Sequence, residues 1–248
     1  TMKTIRKTLA ILFVASLTLL SCSDDDNDNN EINNADDDNG NADEFICNVT
    51  PTEVVEVVNP TTGKTWMDRN LGASRAATSM TDELAYGDLY QWGRGPDGHQ
   101  CRDSDTTETL SSTDQPGHGD FIIGEGFLKK DWRSTENDNL WQGVNGINNP
   151  CPSGYRIPTS AELNAERQSW DTANAEGAIA SPLKLPTAKS RSSNGQVSQL
   201  EKNGFYWSSS NVNFVSRLRP ELLYFFDFDS FIMDAEKAEG YSVRCIKD

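Results

Sequence analysis

The chain has 248 residues, 38 acidic against 22 basic, and a formal net charge of −16. That balance argues against a nucleic-acid partner, whose phosphates call for a basic face. The length suits one domain of good size with additional segments.

Lys3, Arg6 and Lys7 make a positive start, and residues 9–20 form a mostly apolar run too short to span a bilayer comfortably. The run ends in Leu19-Leu20-Ser21-Cys22, which resembles a bacterial lipobox. On that reading residues 1–21 are a lipoprotein signal peptide, cut before Cys22, and Cys22 is acylated. The alternative is a plain secretory signal with a stray cysteine. Residues 22–44 read as an acidic tether. Between positions 23 and 44 there are ten Asp or Glu and no Lys or Arg. Such a segment lacks the apolar residues for a core and repels itself. Its opening, SDDDNDNN, resembles the acidic export signal of surface lipoproteins in Bacteroidetes. The predicted address is the outer membrane, exposed at the cell surface and held by lipid.

The predicted domain spans residues 45–248. Residues 53–58 are valine-rich and suit a strand. Asn59, Pro60 and Gly63 punctuate a turn, and residues 64–68 return as a second strand. Residues 79–90 have helical character, with Leu84, Tyr86 and Leu89 expected to be buried and Gly87 as a flaw. Residues 94–149 form a long irregular region anchored by Phe121, Phe127, Trp132, Leu140 and Trp141. Such a stretch in a compact domain is functional or misassigned.

Pro150 and Pro152 stiffen the backbone around Cys151. Tyr155 to Ile157 suit a short strand ended by Pro158. Thr159 precedes Glu162 by three residues, the spacing of a capping box, so a helix starts there with Leu163 and Trp170 on one face. Residues 173–202 read as loose, with Pro182 and Pro186 limiting helix. Phe205 and Trp207 alternate with Tyr206 and Ser208 as a core strand. In residues 222–229 one face is Leu222, Tyr224, Phe226 and Phe228, expected in the core. The other runs from Leu223 and Phe225 to Asp227 and Asp229, expected to emerge into solvent at its end. The chain closes on GYSVRCI, with Tyr241, Val243 and Cys245 on one side of a strand and Ser242, Arg244 and Ile246 on the other.

Besides Cys22 there are four cysteines, Cys47, Cys101, Cys151 and Cys245. An even set in an exported chain suggests two disulfides with three possible connectivities. No CxxC or His-rich spacing points to zinc.

Several stretches carry a resemblance. GYRIPTSAEL (154–163) and the closing SVRC (242–245) resemble signatures of the C-type lectin-like and formylglycine-generating-enzyme group. More narrowly, six motifs in order resemble the Fibrobacter succinogenes major paralogous domain family. They are GKTWMDRNLGA (63–73), AYGDLYQWGR (85–94), DGHQ (97–100), NNPCPSGYRIPT (148–159), FYWSSS (205–210) and GYSVRCIKD (240–248). The resemblance implies an α+β, C-type lectin-like fold: a small twisted antiparallel sheet, two helices and a long irregular loop region. It implies pairing of Cys151 with Cys245, which leaves Cys47 with Cys101.

The same resemblance implies a surface module that binds or adheres, with a glycan or a surface protein as ligand. A structural component of a surface assembly is the alternative. Enzyme chemistry of the formylglycine-generating type uses cysteines, and here they read as staples, so no catalytic residue is assigned. His99 and His118 lie in no nucleophile motif and read as solvated loop residues. The sugar-coordinating motifs of calcium-dependent lectins are absent. The loop oxygens of Asp97, Asp103, Asp105, Glu108, Asp114 and Asp120 read as acidic surface rather than a shaped calcium site. No metal or other cofactor is therefore assigned. Asp131, Trp132, Asn137, Asp138 and Trp141 are the candidate ligand contacts, because a Trp flanked by amides and carboxylates can stack and bond a sugar.

Overall fold

Glu56–Val58 (β1) and Thr65–Met67 (β2) pair antiparallel, Val57 opposite Trp66, as the entrance hairpin. Asn59 makes the turn: its side-chain oxygen accepts the N–H groups of Thr61 and Thr62. The computed structural model describes residues 51–124 and 130–248, all within a unit spanning Asp43–Asp248. The signal peptide, the tether, Cys22, Cys47 and Phe127 lie outside the described residues.

No α-helix forms over residues 79–90. A single 3₁₀ turn, Glu83–Ala85, stands there instead. Gly87 sits at φ +64°, and a Cβ on it would lie 2.2 Å from the Leu71 carbonyl oxygen. The chain must bend here to bring Tyr86 and Leu89 inside, and Leu84 is left outside, 46% exposed. Tyr90–Gln91 (β3) follows at once.

Thr106–Thr107 (β4) and Phe121–Ile122 (β5) form a parallel pair within the irregular region. Four tryptophans in and around that region are fully buried, and each donates its indole N–H to a backbone carbonyl. Trp92 reaches Ser208 at 2.8 Å, Trp132 reaches Trp92 at 2.8 Å, Trp207 reaches Tyr90 at 2.7 Å, and Trp141 reaches Asn148 at 3.0 Å. Each ring buries a large apolar area while its one polar atom stays bonded.

Tyr155–Arg156 (β6) leads into Ser160–Gln168 (α1). The capping box forms as expected: the Thr159 side chain accepts the Glu162 N–H while Glu162 accepts the Thr159 N–H. Arg156 adds a two-pronged bond to Glu162 at 2.8 Å on both arms. A second helix, Ala175–Ala180 (α2), forms where the sequence reads as loose. Asn174 caps its start, and Gly177 is needed because a Cβ there would meet the Thr172 carbonyl.

Gly204–Phe214 (β7), Arg217–Phe225 (β8) and Ser230–Asp234 (β9) make an antiparallel three-stranded sheet. Both faces of its start are covered. Trp207 and Leu222 enter one apolar cluster with Met67, Trp92, Trp141, Ile157 and Val243. Tyr206, Leu223 and Phe225 enter another with Trp66, Leu163, Trp170 and Ile246. The face expected in the core fails at its far end, while the other face emerges into solvent at its end, with Asp229 exposed. Leu223 and Phe225 are buried, whereas Phe228 is 86% exposed. The reason is that β8 ends at Phe225, and a tight turn, Phe226 N–H to Asp229 carbonyl, reverses the chain before Phe228 can point inward.

Gly240–Tyr241 (β10) pairs with β3, and Ile246–Lys247 (β11) lies between β2 and β6. The closing run is thus two short strands, not one. Its alternation survives: Tyr241, Val243 and Cys245 face the first cluster and Ile246 the second. Cys151 and Cys245 are disulfide-bonded, with Cα atoms 5.9 Å apart. Two α-helices and small, mostly antiparallel sheets among the described residues make this an α+β arrangement.

Candidate functional site

The turn after β3 builds a polar frame from its own residues. Gln91, fully buried, donates to the carbonyls of Ile122 and Ala238 at 2.8 Å each. Its oxygen accepts from Arg94 at 2.8 Å and from the Ile122 N–H. Arg94 also donates to the Asp120 and His118 carbonyls and to Asp97 Oδ2 at 2.7 Å.

His99 completes the frame and corrects the expectation of a solvated loop residue, for its ring is fully buried. Its Nε2 accepts the Gln91 backbone N–H at 3.0 Å, which assigns the proton to Nδ1, 2.5 Å from Asp97 Oδ1. An imidazole whose acceptor nitrogen is already occupied by backbone cannot take a proton from a substrate. His118, by contrast, is partly exposed.

Burial pushes the His99 imidazole down to about 4, and the Arg94 charge pushes the same way. Burial acts against the Asp97 carboxylate, but His99 and Arg94 outweigh it and hold it down at about 2. The stability that neutral His99 contributes is complete above its unfolded value of about 6.5 and is lost as pH falls toward 4. Asp88 acts in reverse: burial raises its carboxyl to about 7, so its share falls as pH rises through that window. The imidazole is expected to titrate near pH 4 by NMR. A midpoint near 6.5 would place the ring in water and refute the frame.

Above this frame lies a cleft of about 350 Å³. Pro96 and Asp97 line one side, Asp114 and Gln115 a second, and Ile147 and Asn148 a third. Ile147 is 61% exposed, an apolar side chain at the mouth of a polar hollow. Asn148 is buried, and its amide group donates to the Gly93 and Asp114 carbonyls at 2.8 and 2.7 Å. Its Oδ1 accepts nothing among the described residues. The Asp114 carboxylate is held by Arg133 and by Asn137 at 2.9 Å. Asp97 and Asp114 are therefore both engaged, and no group of three or more His, Cys, Asp or Glu among the described residues is placed to hold a metal.

The five candidate contacts part company. Asn137 stands behind the cleft wall through its bond to Asp114. Trp132 and Trp141 are fully buried, so neither ring can stack on a ligand; they anchor the loop. Asp131 is buried and Asp138 half-buried, and both face Lys237, which is itself buried. Sequence reasoning missed Ile147, Asn148 and Lys237. Asn148 does open the NNPCPSG stretch, but Lys237 in AEKAEG reads as a solvated charge.

A second surface stands on β7–β9. Aromatic rings run outward from buried Tyr241 to Phe205 (4.9 Å), Tyr224 (4.7 Å) and Phe231 (5.2 Å), with Phe226 and exposed Phe228 beyond. No family model, no curated protein and no solved structure matches this chain.

Proposed function

We propose that this chain is a lipid-anchored surface lipoprotein of the outer membrane whose domain binds glycans through the cleft at residues 95–97, 114–117 and 147–149. We place that domain in the Fibrobacter succinogenes major paralogous family, with a C-type lectin-like fold. The closing strand between β2 and β6, the Cys151–Cys245 bond and the long irregular segment support the fold reading. One observation carries the functional reading: an open hollow of ligand size that combines an apolar edge with convergent amide, carboxylate and backbone groups. Sugars present both an apolar face and hydroxyl groups, which suit exposed Ile147 and the polar lining of Asp97, Asp114, Gln115 and Asn149. Binding rather than catalysis fits the chemistry present. His99 has no free acceptor nitrogen, and Cys101, Cys151 and Cys245 are all disulfide-bonded.

A glycan array tests this with the purified wild-type chain and Ile147→Asp. The wild type is expected to retain specific glycans, and the variant to lose at least about tenfold in affinity, roughly 1.4 kcal/mol. Retention of no glycan, or equal retention by both, sinks the reading.

The aromatic face favours a second reading, a structural component of a surface assembly. Exposed Phe231 and Met233 on β9, with Phe228 in the turn before it, are what a partner would cover.

A further inference from the structure

Lys237 lies in the turn between β9 and β10, and its side chain is 5% exposed. Its Nζ bonds to Asp138 Oδ1 and lies 3.8 Å from Asp131 Oδ2. The ammonium also sits 5.6 Å from the centre of the Trp92 ring. One amine, two carboxyls and an aromatic wall thus share a site with little water.

The backbones on both sides are fixed independently of this contact. The Lys237 carbonyl accepts the Trp92 N–H at 3.1 Å, and the Ala238 N–H donates to the Lys130 carbonyl at 3.1 Å. The Asp138 carbonyl accepts from Gln142 at 3.3 Å and from Asn211 at 3.2 Å. Asp131 is held from its other oxygen, Oδ1, by the Arg133 N–H at 3.0 Å. Arg217 lies near enough to feel the Asp131 charge. The reacting atoms are therefore held together rather than meeting by chance, which is worth orders of magnitude in rate for an intramolecular condensation.

We infer that Lys237 and Asp138 condense into an amide bond between side chains, with Asp131 as the proton carrier. For the amine to attack, one proton must first pass from Nζ to the bonded Asp138 carboxylate, leaving a neutral amine facing a neutral acid. Nζ attacks Cγ of Asp138 and forms the C–N bond. Asp131 takes a proton from the attacking nitrogen and delivers it to the departing hydroxyl. The Cγ–O bond breaks and water leaves toward solvent, since the Asp138 side chain is 26% exposed. An ammonium and a carboxylate become an amide and water, Asp131 is regenerated, and no oxidant or co-reactant is needed. The product ties the irregular loop to the far end of the sheet across 99 residues of chain, and no reductant can open it.

Peptide mapping of the full chain, reduced and alkylated before trypsin, tests this. The expected result is a branched peptide in which residues 134–156 join a segment running through uncleaved Lys237, lighter than the sum of its arms by one water. Lys237→Arg keeps the charge and removes the nucleophile, and is expected to abolish the branch. Asp131→Asn is expected to slow or prevent it. Wild-type protein that yields only linear peptides cut after Lys237 overturns the inference, whatever the variants do. A branch persisting in Lys237→Arg would place the link elsewhere and overturn it too. An undiminished branch in Asp131→Asn would remove Asp131 from the chemistry.

Discussion

Arg244→Met is expected to destabilise the domain by about 3 kcal/mol or more, read as the free energy of urea unfolding. Arg244 is fully buried, and its four hydrogen bonds among the described residues go to neutral oxygens. Nε and Nη2 meet Asn70 Oδ1 at 3.1 and 3.0 Å, and Nη1 meets the Leu183 and Met67 carbonyls at 2.6 and 3.3 Å. Burial pushes the guanidinium down to about 10, which still leaves it charged at neutral pH. Methionine fits the apolar surroundings and removes the desolvation cost of the charge. It also strands three buried acceptors, each costing about 1–3 kcal/mol. The stranding wins because the network extends further: Asn70 donates to Tyr206, and Tyr206 donates to the Pro186 carbonyl at 2.7 Å. Arg244→Lys is expected to recover little, since an ammonium cannot reproduce the planar fork. A loss below about 1 kcal/mol for Arg244→Met would show that the network is dispensable.

Where structure is decided within a few residues, the sequence could be read. The Thr159–Glu162 cap and the β1–β2 turn are local devices whose partners lie two or three positions apart. The alternation of Tyr241, Val243 and Cys245 against Ile246 is a two-residue period, and it holds even though the run breaks into two strands. What failed was decided by the far side of a contact. Nothing around Trp132 or Trp141 tells that a carbonyl of Trp92 or Asn148 awaits each indole N–H. Nothing in DGHQ tells that the Gln91 N–H will fill His99 Nε2. Lys237 shows the same limit most sharply, because its carboxylate partners are contributed by a loop about a hundred residues earlier. The loop's length suggested a site; which of its residues face the cleft was a question of tertiary packing.

Removing the Cys151–Cys245 bond by Cys151→Ser with Cys245→Ser is expected to cost about 2–5 kcal/mol, seen as a drop in the urea midpoint with the fold retained below it. The bond closes a loop of 94 residues, for which chain entropy alone gives about 4–5 kcal/mol. Two features set where in that range the loss falls. The seam has other ties: Ile246 pairs with Arg156 and Lys247 with Tyr155, so β6 and β11 stay adjacent in the folded state without the bond. That limits native-state disruption and leaves the main effect on the unfolded chain. Against this, Cys245 is fully buried within the first apolar cluster, and two serine hydroxyls there would enter an environment short of partners, adding a polar burial cost. Single replacement is expected to be worse than double, since it leaves a lone thiol facing a hydroxyl. Cys101 is disulfide-bonded as well and lies at the edge of the irregular region, so Cys101→Ser should cost less. Equal losses for the two bonds, or a double variant as stable as the parent, would show that the meeting of the middle and closing strands is held by pairing and packing alone.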